Sequence, residues 1–261
     1  MWLPDLIRNA IGDRTYQLDD TGLSGSQVLV FDDMVLKIQP ESSETKNEYE
    51  MMVWLEGKLP VPKIICQLAE NGISYLLMSR VNGAMSCDLN YIHNPDQLVD
   101  LLAEGLKMLW SVNITDCPCD NRLNKRLRSA EYNVQNNLVD LENTEPETFG
   151  DNGFKNPEEL LKWLKDHRPA EDTVLTHGDY CLPNIFAGQG NVSGFIDLGK
   201  TGIADRYQDI AICYRSLKHN LAGMYGGHGP IAYDADILFD RLGIEPDWEK
   251  IRYFTLLDEL F

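Results

Sequence analysis

The strongest chemical signal in the chain is His177-Gly178-Asp179, followed after four residues by Asn184 and then by Ile196-Asp197-Leu198-Gly199. Phosphoryl transfer needs little covalent help from a protein. It needs an aligned acceptor hydroxyl and divalent cations on the phosphates. Asp179, on a loop, can accept a hydrogen bond from the hydroxyl. Asn184 can offer its amide oxygen, and Asp197, brought back by a hairpin, supplies an anionic one. These are the oxygen donors that Mg2+ prefers. Isolated Asp and Asn residues are ordinary turn formers, so the argument rests on the combined spacing.

Such a site also needs a lysine near the α- and β-phosphates and an acidic partner for it. Lys37 sits in Val35-Leu36-Lys37-Ile38, where apolar neighbours would make an unpaired ammonium costly to bury. Glu48, on the helix that follows, is the expected partner, with Glu44 and Glu50 as rivals. Gly22-Leu23-Ser24-Gly25-Ser26 precedes the strand before Lys37. Short Gly/Ser turns let backbone N–H groups approach phosphate oxygens, although neither G-x-G-x-x-G nor the Walker pattern is present. The order Asp, Asn, Asp follows the catalytic-loop and metal-loop logic of kinases.

The elements that must position these residues fall into two textures. Up to about Ser79 the signals are mostly strands. Residues 27–31 and 34–38 form a hairpin around Asp32-Asp33, and residues 63–67 and 73–79 are two strands split by Asn71-Gly72. Residues 41–59 suit one helix, ended by Gly57 and Pro60. Asn82-Gly83 is a candidate hinge. Beyond it helices are expected over 95–112, 122–138, 157–167, 207–217 and 246–260. An acidic, turn-rich stretch over 140–151 interrupts them, and a hairpin carries Asn184 and Asp197. The expected division is a lobe at 1–80 and a second at 81–261.

Composition narrows the partners. The formal charge of −18 repels a nucleic-acid backbone and suits a cationic partner. No apolar run approaches the length of a membrane helix. The first residues lack a basic segment followed by a long apolar one, so a cytoplasmic protein is expected. Six cysteines without a zinc-type spacing are expected to be reduced structural thiols.

With these residues in hand, the chain resembles the aminoglycoside 3'-phosphotransferases, relatives of the protein kinases. The similarity runs through residues 51–63, the hairpin Val192-Ser193-Gly194-Phe195-Ile196-Asp197-Leu198-Gly199 and the ending Leu256-Leu257-Asp258-Glu259-Leu260-Phe261, the last close to members from Gram-positive bacteria. The resemblance implies an α+β, protein-kinase-like, two-lobed fold. A small lobe would hold a five-stranded antiparallel sheet and one helix; a larger, mainly helical lobe would carry the catalytic loop. It implies ATP, with GTP left open, and Mg2+ as cofactors. Lys37 would grip the α- and β-phosphates, Glu48 would anchor Lys37, and Ser24 would lie in the phosphate loop. The adenine would lie against the segment from Ser79 to Val81 and against Val35, where the best-known relatives carry an aromatic residue. Asp179 would be the base or hydroxyl-orienting group, and Asn184 and Asp197 would hold magnesium. His177 and Asp209 would brace the catalytic loop.

The implied acceptor is a polycationic aminoglycoside of the kanamycin/neomycin class, phosphorylated on its 3'-hydroxyl. An acidic lining attracts such ligands. The expected contributors are Asp258, Glu259 and the carboxylate of Phe261, with Glu142 and Glu145 from the acidic stretch. Lys200 is also assigned to the substrate side, at a position where close relatives often carry Arg. Tyr180-Cys181-Leu182-Pro183 looks more like the Gram-negative branches. The alternative is a kinase of another small hydroxylated acceptor: choline, homoserine, fructosamine or a macrolide. A monomer or weak dimer is expected, without nucleic acid or membrane partners.

Overall fold

The computed structural model describes residues 3–19, 26–151 and 153–261. Ser24 lies outside the described residues. The chain opens with helix α1 (Asp5–Ile11), then strands β1 (Gln17–Asp19), β2 (Gln27–Val30) and β3 (Met34–Pro40). Helix α2 (Ser43–Leu55) and strands β4 (Ile64–Glu70) and β5 (Ile73–Ser79) complete an antiparallel sheet of order β1-β2-β3-β5-β4.

Alternation along β3 and β5 decides what reaches the cleft. In a strand, successive side chains point to opposite faces. Met34, Leu36, Tyr75 and Leu77 pack with Ile7 and Ile11 of α1 into a small separate core. Val35, Leu76 and Met78 face the other way and join the main core. Lys37, paired in register with Leu76, shares that second face. Helix α1 caps the back of the sheet. Seven residues give too weak a periodic signal for the sequence to have announced it. Helix α2 is shorter than the expected 41–59 because Ser42 caps it, accepting from Thr45 N while Thr45 Oγ1 accepts from Ser42 N. This reciprocal arrangement fixes the first turn.

The rest comprises the short strand β6 (Ala84–Met85), helices α3 (Leu89–Ile92), α4 (Pro95–Trp110), α5 (Leu123–Gln135) and α6 (Pro157–Asp166), and strand β7 (Thr173–Thr176). Then follow β8 (Ile185–Gly188), β9 (Asn191–Phe195), β10 (Gly202–Asp205), α7 (Arg206–Leu221), α8 (Ile237–Leu242) and α9 (Trp248–Asp258). The catalytic-loop motif lies between β7, which pairs with β10, and β8, which pairs with β6 and β9. Asn82-Gly83, expected as a hinge, is pinned. Gly83 has φ +104°, and a Cβ there would stand 2.1 Å from the Ala187 carbonyl oxygen. Ser193 Oγ also donates to Asn82 O at 2.6 Å. Two inter-lobe ties come from Asn47 on α2, whose Nδ2 donates to Gly199 O (2.8 Å) and Thr201 O (2.9 Å). All six cysteines are free thiols. Among the described residues no helix is long and apolar enough to cross a membrane.

Candidate active site

A cavity of ≈ 350 Å³ lies between the sheet and β8–β9. Val35, Ser79 and Val81 line its sheet side, with Met78 and Val28, while Phe186 and Ile196 face them from the other lobe. This apolar slot ends at Lys37, Glu48, Asn184 and Asp197. The placement follows from the strands: β3 presents Val35 and Lys37 on one face, and β5 runs straight into Ser79, whose Oγ accepts from Lys63 N at 2.9 Å. Val81 closes over Gly194, where a Cβ would meet Val81 Cγ1 at 2.5 Å.

Lys37 Nζ donates to both carboxylate oxygens of Glu48 at 3.1 Å and also to Asp197 Oδ1. Of the three acids weighed as partners, Glu48 is the one that reaches it. Glu50 pairs with Lys46 instead, and Glu44 is exposed near Gly199. Burial pulls the Lys37 pKa down, but Glu48 and Asp197 outweigh it and leave it raised. Burial pushes the Glu48 carboxyl up against the pull of Lys37. Gln39, missed by sequence reasoning, donates to Glu48 Oε2 at 3.3 Å and receives Ser26 Oγ at 2.8 Å.

Around the catalytic loop, Asp209 on α7 is fully buried. It accepts His177 N at 2.6 Å and Gly178 N at 2.8 Å. Burial lifts its pKa to about 7 despite those two donors. Gly178 has φ +86°, and a Cβ there would stand 2.0 Å from Lys200 O, so only glycine fits this turn without strain. His177 Nε2 lies 2.8 Å from Ile196 O, and burial lowers its pKa. Its ring props the segment that leads into Asp197. Asp197 itself adopts a left-handed conformation, φ 60° and ψ 53°. Such backbone is uncommon outside glycine and costs of order 1 kcal/mol or more, and here it lifts the carboxylate out to 46% exposure. Asn184 Nδ2 donates to Asp179 O (3.0 Å) and Oδ2 (3.3 Å). The Asn184 amide oxygen is therefore the atom left for another partner. Ile196 N donates to Asn184 O at 3.1 Å, which holds the Asn184 and Asp197 segments side by side.

The proposed acceptor side is a separate cavity of ≈ 380 Å³, lined by Asp140, Glu145, Asp258, Glu259 and Phe261 together with Arg215 and His219. Glu142 does not line it; it is exposed, and its N–H donates to Asp140. The acids here are not free. Arg215 of α7 pairs with Asp258, with Glu259 at 3.1 Å and with Glu145 at 3.8 Å. Burial raises the Asp258 carboxyl, but Arg215, Lys200 and Arg126 more than reverse it. Glu259 goes the other way, pushed up by burial to about 6. Lys200 lies in a different cavity, beside Arg126 and Asn47, which Phe261 also lines. Sequence reasoning missed Arg215. A lone arginine on a helix carries no signal until its partners, 43 and 44 residues onward, fold back onto it.

A small antiparallel sheet over a mainly helical lobe, with an apolar slot ending in a Lys–Glu pair and an Asn/Asp pair, is the architecture of the kinase-like phosphotransferases. The family model described as "Phosphotransferase enzyme family" matches residues 7–254. An aminoglycoside 3'-phosphotransferase from Enterococcus faecalis is 44% identical over 222 residues, covering 84% of this chain and 79% of that protein. One from Niallia circulans is 36% identical over 99% of this chain and 97% of its own length. A crystal structure of an aminoglycoside 3'-phosphotransferase of type VIII superposes with a TM-score of 0.80 at 25% identity, covering 98% and 97% of the two chains. The chain belongs to this phosphotransferase family, on its aminoglycoside 3'-phosphotransferase branch.

Proposed function

We propose that the protein transfers the γ-phosphoryl group of ATP to the 3'-hydroxyl of aminoglycoside antibiotics of the kanamycin/neomycin class, and so inactivates them. The observation that carries this reading is the convergence of Lys37, Glu48, Asn184 and Asp197 on one cavity, in a chain 44% identical to a protein of that activity.

The apolar slot from Val35 to Val81 takes the adenine, and Lys37 is held by Glu48 to meet the α- and β-phosphates. Asn184 and Asp197 fit magnesium: with Nδ2 committed to Asp179, the amide oxygen of Asn184 joins a carboxylate in an all-oxygen donor set. The ion, when bound, neutralises charge on the phosphates. Asp179 accepts the hydrogen bond of the acceptor hydroxyl and aligns it; as the acceptor oxygen bonds to the γ-phosphorus, the bond from that phosphorus to the β,γ-bridging oxygen breaks, ADP leaves with the electron pair, and the hydroxyl proton passes to the Asp179 carboxylate. The chain through Asp209, Gly178 and His177 keeps Asp179 in place.

The acceptor's ammonium groups are drawn to the pocket of Glu145, Asp258 and Glu259. These acids are largely buried and already share Arg215, so affinity comes from several ammonium contacts at once. Phosphate on the drug adds bulk and negative charge where its target expects a neutral hydroxyl. The reading implies a protein that works where ATP is made, in the cytoplasm.

The test is purified protein with ATP, Mg2+ and kanamycin, and NMR assignment of the product. Phosphate on the 3'-oxygen is expected. Failure to phosphorylate kanamycin, neamine or ribostamycin would remove the acceptor assignment and leave the phosphotransferase class standing.

A further inference from the structure

The ammonium of Lys37 is fully committed. It carries three N–H donors. Two reach the oxygens of Glu48 at 3.1 Å and the third reaches Asp197. On the proposed function the Asp197 bond gives way when Lys37 takes the phosphates, and Glu48 is then left to aim the ammonium. Where the Glu48 carboxylate sits therefore decides where the positive charge sits.

Glu48 is 3% exposed on α2. Among the described residues, the side chain besides Lys37 that donates to it is Gln39. Gln39 lies two residues beyond Lys37 on β3, and so on the same face of the sheet. The pairing of β2 with β3 sets Gln27 opposite Ile38, which brings Ser26 beside Gln39. Ser26 Oγ donates to Gln39 Oε1 at 2.8 Å, and Gln39 Nε2 donates to Glu48 Oε2 at 3.3 Å. The two ends of the amide are not interchangeable here, because the reversed orientation would set its oxygen against a carboxylate oxygen. Ser26 and Lys37 line the nucleotide cavity, and Gln39 is not among its lining residues. A polar chain thus leaves the cavity wall at Ser26, passes behind it through Gln39 and Glu48, and returns to it at Lys37.

We propose that Gln39 is a positioning residue for nucleotide binding: oriented by Ser26, its amide fixes the Glu48 carboxylate and, through it, the Lys37 ammonium at the phosphate end of the cleft. A donor on a carboxylate is stronger than one between neutral groups, and this one joins β3 to α2 at the point where the lysine is held. The inference rests on the nucleotide reading of the cleft and is independent of which acceptor is used.

The test is calorimetric titration of the full chain with Mg2+ and a non-hydrolysable ATP analogue, beside steady-state kinetics with ATP and kanamycin. Gln39→Met keeps the length of the side chain and removes its polar ends. It should weaken the analogue by about 10-fold, the worth of one hydrogen bond to a charged group. KM for ATP should rise in proportion, with KM for kanamycin within about two-fold of wild type. A role in packing alone would lower the folded fraction, and so kcat, without moving KM for ATP. Ser26→Ala should give a smaller loss in the same direction, and Ser26→Thr, which keeps the hydroxyl, should restore it. Ser26→Ala should add nothing in a Gln39→Met background, because it acts through that amide. The two Ser26 variants carry the test should Gln39→Met misfold. Wild-type affinity for the analogue in Gln39→Met, or a Ser26→Ala loss undiminished in that background, overturns the proposal. Failure of the wild type to bind the analogue would remove the nucleotide reading and this inference with it. Binding of the analogue without phosphorylation of kanamycin would remove the acceptor assignment alone, and the affinity series would still decide.

Discussion

Lys37 on β3 and Asp197, 160 residues further along, share one hydrogen bond across the lobes, while the same ammonium holds Glu48 at 3.1 Å. One side chain from the sheet thus fixes both the helix behind it and the loop in front of it. Its removal has a structural as well as a chemical consequence. Lys37→Met leaves Glu48, 3% exposed, without its main partner. An uncompensated buried carboxylate costs roughly 3–5 kcal/mol, and Gln39 recovers part of that. Lys37→Met/Glu48→Leu should regain most of the stability in urea melts, with a coupling energy of about 1–3 kcal/mol. Neither variant should recover phosphotransfer. Additive losses in the cycle would mean that the pair is not a unit.

Asp179→Asn separates alignment of the acceptor from binding of the nucleotide. Asp179 is not among the residues that line the nucleotide cavity, and it accepts from Asn184, which is. Turnover should fall by about 10²–10⁴-fold, with ADP affinity within a few-fold of wild type by calorimetry. Unchanged kcat would remove Asp179 from its assigned role.

Asp209 predicts opposite pH trends for stability and activity. An unfolded Asp titrates near 3.9, whereas the folded group titrates at about 7. Between those values the native state holds a proton that the unfolded state has released. Stability therefore falls as pH rises through that window, by up to about 1.4 kcal/mol per unit. Glu259, raised to about 6, pulls the same way, so the measurement is the difference between wild type and Asp209→Asn in urea melts from pH 5 to 8. The slope should be shallower in the variant. Activity should run the other way in wild type, because only the carboxylate accepts fully from both His177 N and Gly178 N. Parallel melting curves for the two proteins would contradict the burial argument.

The chemistry-bearing motif and the strand that carries Lys37 were legible because both are local. H-G-D-x4-N fixes a loop by spacing, and period-two alternation around Lys37 fixes which face it shares with Val35. The choice of Glu48 over Glu44 was not local. The two lie four residues apart on one side of α2, and only the seating of α2 against the Gly199 turn separates them. The left-handed backbone at Asp197 and the Asp209 brace depend on packing between segments far apart in sequence. The C-terminal acids were expected as contributors to an acidic lining for a cationic substrate. Their pairing with Arg215 came from the fold.

That pairing makes Arg215 the residue whose loss should alter the acidic pocket most. Arg215→Ala leaves Asp258 and Glu259, with side chains 18% and 3% exposed, facing each other and Glu145 without their guanidinium. The cost should be about 2–4 kcal/mol near neutral pH. The sign of its pH dependence follows from Asp258, whose pKa the native protein holds below the usual range. That contribution is present above the unfolded pKa and lost as pH falls through the folded one. In Arg215→Ala burial acts on Asp258 without that guanidinium and pushes its carboxyl up, so the variant takes up a proton at higher pH than wild type and its deficit should shrink as pH falls toward 4. On the proposed reading kanamycin would supply ammonium groups to the same acids, so it should raise the Tm of Arg215→Ala more than that of wild type at pH 7.5. Thermal melts at pH 4.5 and 7.5, with and without the drug, measure both effects. A deficit equal at the two pH values and indifferent to kanamycin would assign Arg215 to packing, and the acidic pocket would lose its claim on the acceptor.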